Sequence, residues 1–265
     1  MPKRAATGAV GMSSSPDPAV QDYLTEVAHR CRDVVGDEVV GVYAGGSLAL
    51  DGYRPGRSDI DVAVVVAGRL DDEAKRSLVS ALRHESLPCP ARGLELVVYR
   101  ADVAASGRVD PGFEVELNTG ARMDFRATFD PAARPPQDGS FWYAVDRSIL
   151  ADHGRSVDGP PAGDVFTSPA DWDLAGLLAE SLRWHLASPA AATDDAVLNA
   201  CRAVHRVRSG RWLSKAAAGA AVVFDPGPLD PALVRAAFRA RDGGPSLDLA
   251  AVRRFQLDVL HLLGG

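Results

Sequence analysis

The chain has 265 residues, 46% of them hydrophobic and 24% charged, with a formal net charge of −6. That length allows one large domain or two modest ones, each with a buried core. No apolar run approaches the roughly 18–20 residues that cross a bilayer, and an acidic chain is a poor non-specific binder of phosphate backbones. Neither a membrane nor a nucleic-acid partner is therefore expected.

Residues 1–15 carry Lys3 and Arg4 but then only small and polar residues, with no apolar segment of the kind a secretory signal needs; they read as a disordered leader, with Met12 as a second candidate start. Cys31, Cys89 and Cys201 are odd in number and far apart, so they define no disulfide framework and no metal spacing. Buried thiols in a reducing cytoplasm are the expectation.

Asp17 to Val35 reads as the first helix, capped by Ser15 or Asp17, with Val20, Leu24, Val27, Cys31 and Val34 at helical spacing. A β-branched run, Glu38 to Tyr43, ends on Gly45-Gly46, a strand followed by a turn. After a brief helical turn at Ser47–Leu50 and a loop at 51–58, Ile60 to Val66 reads as a buried strand, apolar except for Asp61. An amphipathic helix at Asp71–His84 and a third strand at Leu94–Tyr99 follow, the strand apolar except for Glu95. Phe113–Leu117 and Arg122–Phe125 are weaker strands forming a hairpin, and Trp142–His153 is a helix. Val157 to Pro169, rich in Gly and Pro, reads as a linker. Beyond it come only helical patterns: Asp171–Ala187, Asp194–Ser209, Leu213–Val223, Pro231–Arg241 and Leu247–Leu263. A mixed half followed by a helical half implies a cleft between them, a common place for ligands.

The informative residues are carboxylates in apolar strands. An unpaired carboxylate at Asp61 costs several kcal/mol in desolvation. Asp59 and Asp61 are two apart on a strand, so they share a face, and like charges that close repel unless a cation lies between them. Paired carboxylates are what Mg²⁺ takes while it keeps other positions for water and phosphate oxygens. The upstream Gly45-Gly46-Ser47 turn suits a phosphate, because glycine lets the backbone approach and the hydroxyl can bond the same oxygens. Glu95 either completes the metal site or acts as a general base.

At these residues the chain resembles the nucleotidyltransferase superfamily typified by DNA polymerase beta, which carries a Gly-Ser and Asp-x-Asp signature. The run Gly46-Ser47-Leu48-Ala49-Leu50-Asp51-Gly52-Tyr53-Arg54-Pro55-Gly56-Arg57-Ser58-Asp59-Ile60-Asp61-Val62 resembles the aminoglycoside 3″(9)-adenylyltransferases, and the likeness extends through Trp142–Pro161 and Val197–Lys215. The resemblance implies an α+β fold: an N-terminal nucleotidyltransferase domain with a mixed sheet flanked by helices (16–157), then an all-helical C-terminal domain (158–265). It implies that Gly46, Ser47 and Ser58 hold ATP phosphates, that Asp59 and Asp61 hold two Mg²⁺ ions, and that Glu95 is the catalytic base beside the metals. Arg202 and Lys215 match basic residues that reach ATP from the helical domain. The acceptor contacts are expected at Phe113, Trp184, Asp194 and Asp195, and His185 and His205 are read as packing or solvated residues. The expected reaction is transfer of AMP from ATP to a hydroxyl of a small cationic acceptor, an aminoglycoside or aminocyclitol, by a cytoplasmic monomer. The alternatives are modification of another small molecule, a protein or an RNA, or a non-catalytic nucleotide-binding regulator.

Overall fold

A computed structural model describes residues 17–187 and 193–264; the expected leader at 1–15 and most of the 187–193 loop lie outside them. Helix α1 (Pro18–Val35) starts where Asp17 accepts a hydrogen bond from the Ala19 amide and Pro18 occupies the first turn. It buries Val20, Tyr23, Leu24, Val27, Ala28 and Cys31. Strand β1 (Val39–Ala44) leads into the one-turn α2 (Gly46–Ala49), and β2 (Ile60–Val66), α3 (Asp72–Leu82) and β3 (Leu94–Arg100) follow. The short α4 (Ala101–Ala104) precedes a hairpin of β4 (Phe113–Gly120) and β5 (Met123–Thr128), then α5 (Phe141–His153) and β6 (Arg155–Asp158).

The six strands form one mixed sheet in the order β5-β4-β3-β2-β1-β6. β2 and β3 are parallel and every other pair is antiparallel. One crossover through α3 is what allows the parallel pair. Alternation along the strands divides the sheet into two faces. Val62, Val64, Leu94, Leu96, Val115 and Leu117 pack under α1 and α3. On the other face Tyr43, Ala63, Val65, Tyr99 and Phe113 pack with Tyr143 and Leu150 of α5 and with Phe166.

The remaining helices are α6 (Asp171–Ala187), α7 (Asp194–Ser209), α8 (Lys215–Phe224), α9 (Pro231–Arg241) and α10 (Leu249–Leu262). They have their own core, centred on Val197, Leu198, Cys201, Val234, Val252 and Phe255. A smaller cluster joins the two halves: Ala49, Leu50, Val145 and Ile149 meet Leu174, Leu178, Ala203 and Trp212. The Trp212 indole donates to Ser148 Oγ at 3.0 Å, so its one polar atom is satisfied inside this contact. No described helix is long and apolar enough to cross a membrane.

Two sequence readings change. The segment read as a linker from Val157 begins inside β6, whose Ser156 and Asp158 pair with Tyr43 and Val42. A short run such as Arg155–Asp158 has no hydrophobic alternation of its own, and the exposed edge of β1 supplies its hydrogen bonds. The hairpin read as weak is instead two full strands. Its charges at Glu114 and Glu116 hid the pattern, because both are buried and paired, Glu114 with Lys75 and Glu116 with Arg126.

Candidate active site

The turn after β1 is built around Asp61. The Gly45 amide donates to the Asp61 carbonyl at 2.9 Å, and the Ser47 amide donates to the Asp61 carboxylate. Gly46 has φ +47°, and a Cβ there would lie 1.8 Å from Asp61 Oδ2, so only glycine allows the turn to come this close. Because the Ser47 amide is turned onto Asp61, the group left to meet a ligand is the hydroxyl. Ser47 Oγ is buried and has no hydrogen-bond partner among the described residues. Ser58 closes the following loop: its Oγ accepts the Arg54 amide at 3.0 Å, which leaves its own proton to donate.

Asp61 and Glu95 are direct partners in the register of the parallel pair, and Asn118 continues the row on β4. All three sit on the face covered by α5. Asp61 lies two residues before Ala63, and Glu95 four before Tyr99, both of which pack there. Asp59 precedes β2 with its Oδ2 4.0 Å from Arg92. From α5 comes a carboxylate that the sequence reading missed, Asp146. The signal was present: Asp146 interrupts the apolar run of Ala144, Val145, Ile149 and Leu150, as Asp61 interrupts its strand.

These groups destabilise one another's charges. Burial, then the fields of Asp59, Glu95 and Asp146, push the Asp61 carboxyl well above the usual carboxylate range, against the Ser47 amide. Burial, then Asp59 and Asp146, raise Glu95 to about 7. Burial raises Asp146 to about 6, opposed by Arg202 and Arg147. Glu95 and Asp146 nonetheless keep surface open to water. Open surface and raised pKa coexist because each carboxylate is wetted on one side and walled by sheet, helix and other negative charges on the rest. The protein-facing side sets the charge penalty.

Arg202, on α7, faces this cluster. Burial lowers its pKa while Asp146, Asp61 and Asp195 oppose that, and its guanidinium lies 5.9 Å from the Trp212 ring centre. Lys215 opens α8 after the Ser214 cap and lies 3.1 Å from Asp195. The structure thus brings Arg202 to the carboxylates and Lys215 to a neighbouring ion cluster.

The residues expected to touch an acceptor divide. Trp184 is 36% exposed, donates to the Gln137 carbonyl at 2.8 Å, and stacks edge-on to Trp142 and His185 at 5.5 and 5.1 Å. Trp142, not singled out from sequence, therefore belongs to the same aromatic wall. His185 packs in that wall as expected, its Nε2 buried. Phe113 is 3% exposed and stacked on Tyr143 at 4.9 Å, so its ring is core and offers no surface. Asp194 is held by Arg57 and Arg241, and Asp195 by Lys215 and Arg241. Both carboxylates already have cationic partners within the chain.

The donors fit a divalent cation of the magnesium type. Asp59 and Asp61 supply hard oxygens, the Gly46 turn leaves no side chain in the way, and Ser47 Oγ is a polar atom without a partner. Such an ion takes one or two carboxylates and fills its remaining positions from water and phosphate.

Residues 24–105 match the nucleotidyltransferase domain family. This stretch holds the Gly46-Ser47 turn, Asp59, Asp61 and Glu95. Over 263 residues the chain is 28% identical to an aminoglycoside (3″) (9) adenylyltransferase of Escherichia coli, covering 91% of this chain and 95% of that protein. It is 27% identical over 189 residues to a protein of the same name from Shigella flexneri, covering 65% and 68%. The structure is similar to that of a spectinomycin adenyltransferase from Enterococcus faecialis solved with ATP and spectinomycin. The TM-score is 0.67 with 16% identity, over 92% of this chain and 99% of that one. This likeness shows a shared α+β fold. The sequence relatives are adenylyltransferases, a class of nucleotidyltransferase.

Proposed function

We propose that this chain, with its nucleotidyltransferase domain, transfers AMP from ATP to a hydroxyl of an aminoglycoside or aminocyclitol, as the names of its relatives describe for them. The observation that carries the proposal is the pairing of Asp61 with Glu95 across β2 and β3, beside a glycine turn that no other residue could make. That pairing supports reading Asp61 as a metal ligand with Glu95 as the base beside it. We read residues 16–157 as the nucleotidyltransferase domain and 158–265 as the helical domain that closes on the nucleotide, in a cytoplasmic monomer.

Asp59 and Asp61 would hold Mg²⁺, two ions on the family pattern. When bound, the ion supplies charge neutralisation to the triphosphate and to departing pyrophosphate. The hydroxyls of Ser47 and Ser58 donate to phosphate oxygens. Arg202 and Lys215, from α7 and α8, bring positive charge to the same triphosphate, so both halves of the chain contribute to the grip. Glu95 takes the proton from the acceptor hydroxyl as its oxygen attacks the α-phosphorus. A base whose pKa lies near 7 combines the right ionisation state with adequate driving force at neutral pH. The hydroxyl proton ends on Glu95, the new P–O bond forms to the acceptor, and the bond to pyrophosphate breaks. Asp146 and the exposed side of Glu95 give the site a negative field suited to a cationic acceptor, and Trp142 and Trp184 offer aromatic faces. Modification of a protein or RNA is disfavoured by the net charge of −6 and the space taken by the helical half.

The test is pyrophosphate release with ATP, Mg²⁺ and an aminoglycoside panel, with the adduct identified by mass. Release with streptomycin or spectinomycin is expected. Release with neither would overturn the acceptor assignment.

A further inference from the structure

The loop at 51–59, which carries Ser58 and Asp59, is held from outside the sheet. Arg57 reaches across to α7, where its Nη2 lies 2.6 and 2.5 Å from the two carboxylate oxygens of Asp194. Its Nη1 donates to the Arg241 carbonyl, at the end of α9, at 3.2 Å. Arg241 in turn sits 3.0 Å from Asp194 and 2.9 Å from Asp195, and Asp195 is 3.1 Å from Lys215. The signs alternate along the whole path from Arg57 through Asp194, Arg241 and Asp195 to Lys215.

Two further contacts follow the same route. Arg54 Nη2 lies 2.8 Å from Asp242, and a Cβ on Gly52 would lie 2.8 Å from Ser214 Cβ, beside Lys215. These contacts are unequal. The Arg54–Asp242 pair is exposed on both sides and is worth little. The side chains of Asp194 and Arg241 are only 11% and 9% exposed, so salt and solvent screen them far less.

We propose that Arg57 is a positioning residue that docks the Ser58–Asp59 loop onto the helical half and so keeps it in register with Lys215. This rests on the nucleotidyl-transfer reading above. It also gives Asp194 a different task from acceptor binding: its two oxygens are committed to Arg57 and Arg241. An ATP molecule gripped by Ser58 from one half and Lys215 from the other needs those groups at a fixed separation. The part of the ion path from Arg57 to Asp195 sets that separation without touching the substrate.

The experiment measures pyrophosphate release by the full chain with ATP varied at saturating acceptor, for wild type, Arg57→Ala, Arg57→Lys and Asp194→Asn. Melting curves with and without MgATP accompany it. Misplacing the loop raises KM for ATP by about tenfold in Arg57→Ala and Asp194→Asn, with a smaller loss in kcat and an intermediate value for Arg57→Lys. The stabilisation by MgATP shrinks in parallel. An unchanged KM together with a lowered melting temperature would show that the cluster only glues the halves together, and would overturn the proposal. If Arg57→Ala does not fold, Arg57→Lys and Asp194→Asn decide, and normal KM values in both overturn it. A wild type that releases no pyrophosphate but is stabilised by MgATP would sink the acceptor assignment alone. The melting shifts of the variants would then still judge Arg57. No response to MgATP in the wild type would overturn both.

Discussion

Two acidic clusters in this molecule contain the same kind of side chain and behave oppositely. Asp59, Asp61, Glu95 and Asp146 gather on one face of the sheet with more negative than positive charge. Three of them, Asp61, Glu95 and Asp146, have raised pKa values. Asp195, beside Asp194 on α7, also suffers burial, yet Lys215 and Arg241 outweigh it and lower its pKa to about 2. The second cluster is matched by cations of the chain itself; in the first the carboxylates raise one another. A carboxylate's neighbours, not its burial, separate a structural ion pair from a site that needs a ligand.

The largest effect that breaks the comparison is expected for Asp61→Asn. Turnover falls by about 10³-fold, because the cation and the transition-state charge lose a ligand. The melting temperature of the metal-free protein rises or holds, since a mutually repelling charge is removed. A melting temperature that falls would show Asp61 to be satisfied as it stands.

Next comes the pH dependence, where the clusters should slope in opposite directions. Glu95 is raised from 4.5 to about 7, so the folded chain binds the proton more tightly than the unfolded one. Its contribution to stability is fully present below 4.5 and is lost as pH rises through about 7. Asp195 is lowered from 3.8 to about 2, so its contribution is present above 3.8 and is lost as pH falls through about 2. Melting curves of metal-free protein between pH 4 and 8, on the order of one unit apart, follow the first slope. Glu95→Gln flattens that slope, lowers turnover by about 10²-fold or more and leaves MgATP binding in place. An unaltered slope, or surviving turnover, would remove Glu95 from the role of base.

The smallest effect is Asp195→Asn. Asp195 is half-buried and solvent screens its pairs, so the loss of stability is about 1 kcal/mol or less. Lys215 is freed from its partner, and KM for ATP moves by less than in Arg57→Ala. Denaturant titration and steady-state kinetics check the two halves of this expectation, and a loss of stability as large as a core deletion would contradict the screening argument.

How much was legible in the sequence follows from how local each signal is. Asp61 and Glu95 stood out because each interrupts a β-branched run, and the strands themselves followed from the same runs. Glycine at 46 was legible as a turn, although its closeness to Asp61 was not. Strand β6 was missed because an edge strand of four residues borrows its hydrogen bonds from β1 and carries little pattern of its own. Phe113 is an acceptor contact only on the resemblance; a bulge in the pairing of β3 with β4 turns its ring onto the α5 face, where it packs against Tyr143.

The sequence by itself determined the order of the strands and helices other than α4 and β6, the Gly46-Ser47 turn, and the presence of carboxylates in apolar strands, since these depend on contacts within a few residues. Tertiary structure alone decided that Asp61 and Glu95 are partners in register, that Asp146 joins them from α5, and that Asp194 is taken up by Arg57 and Arg241. Pairs such as Arg57 and Asp194 stand 137 residues apart in the chain, and the field at a carboxylate is a sum over every charge that folding brings near it. Spacing along the chain carries no record of that sum.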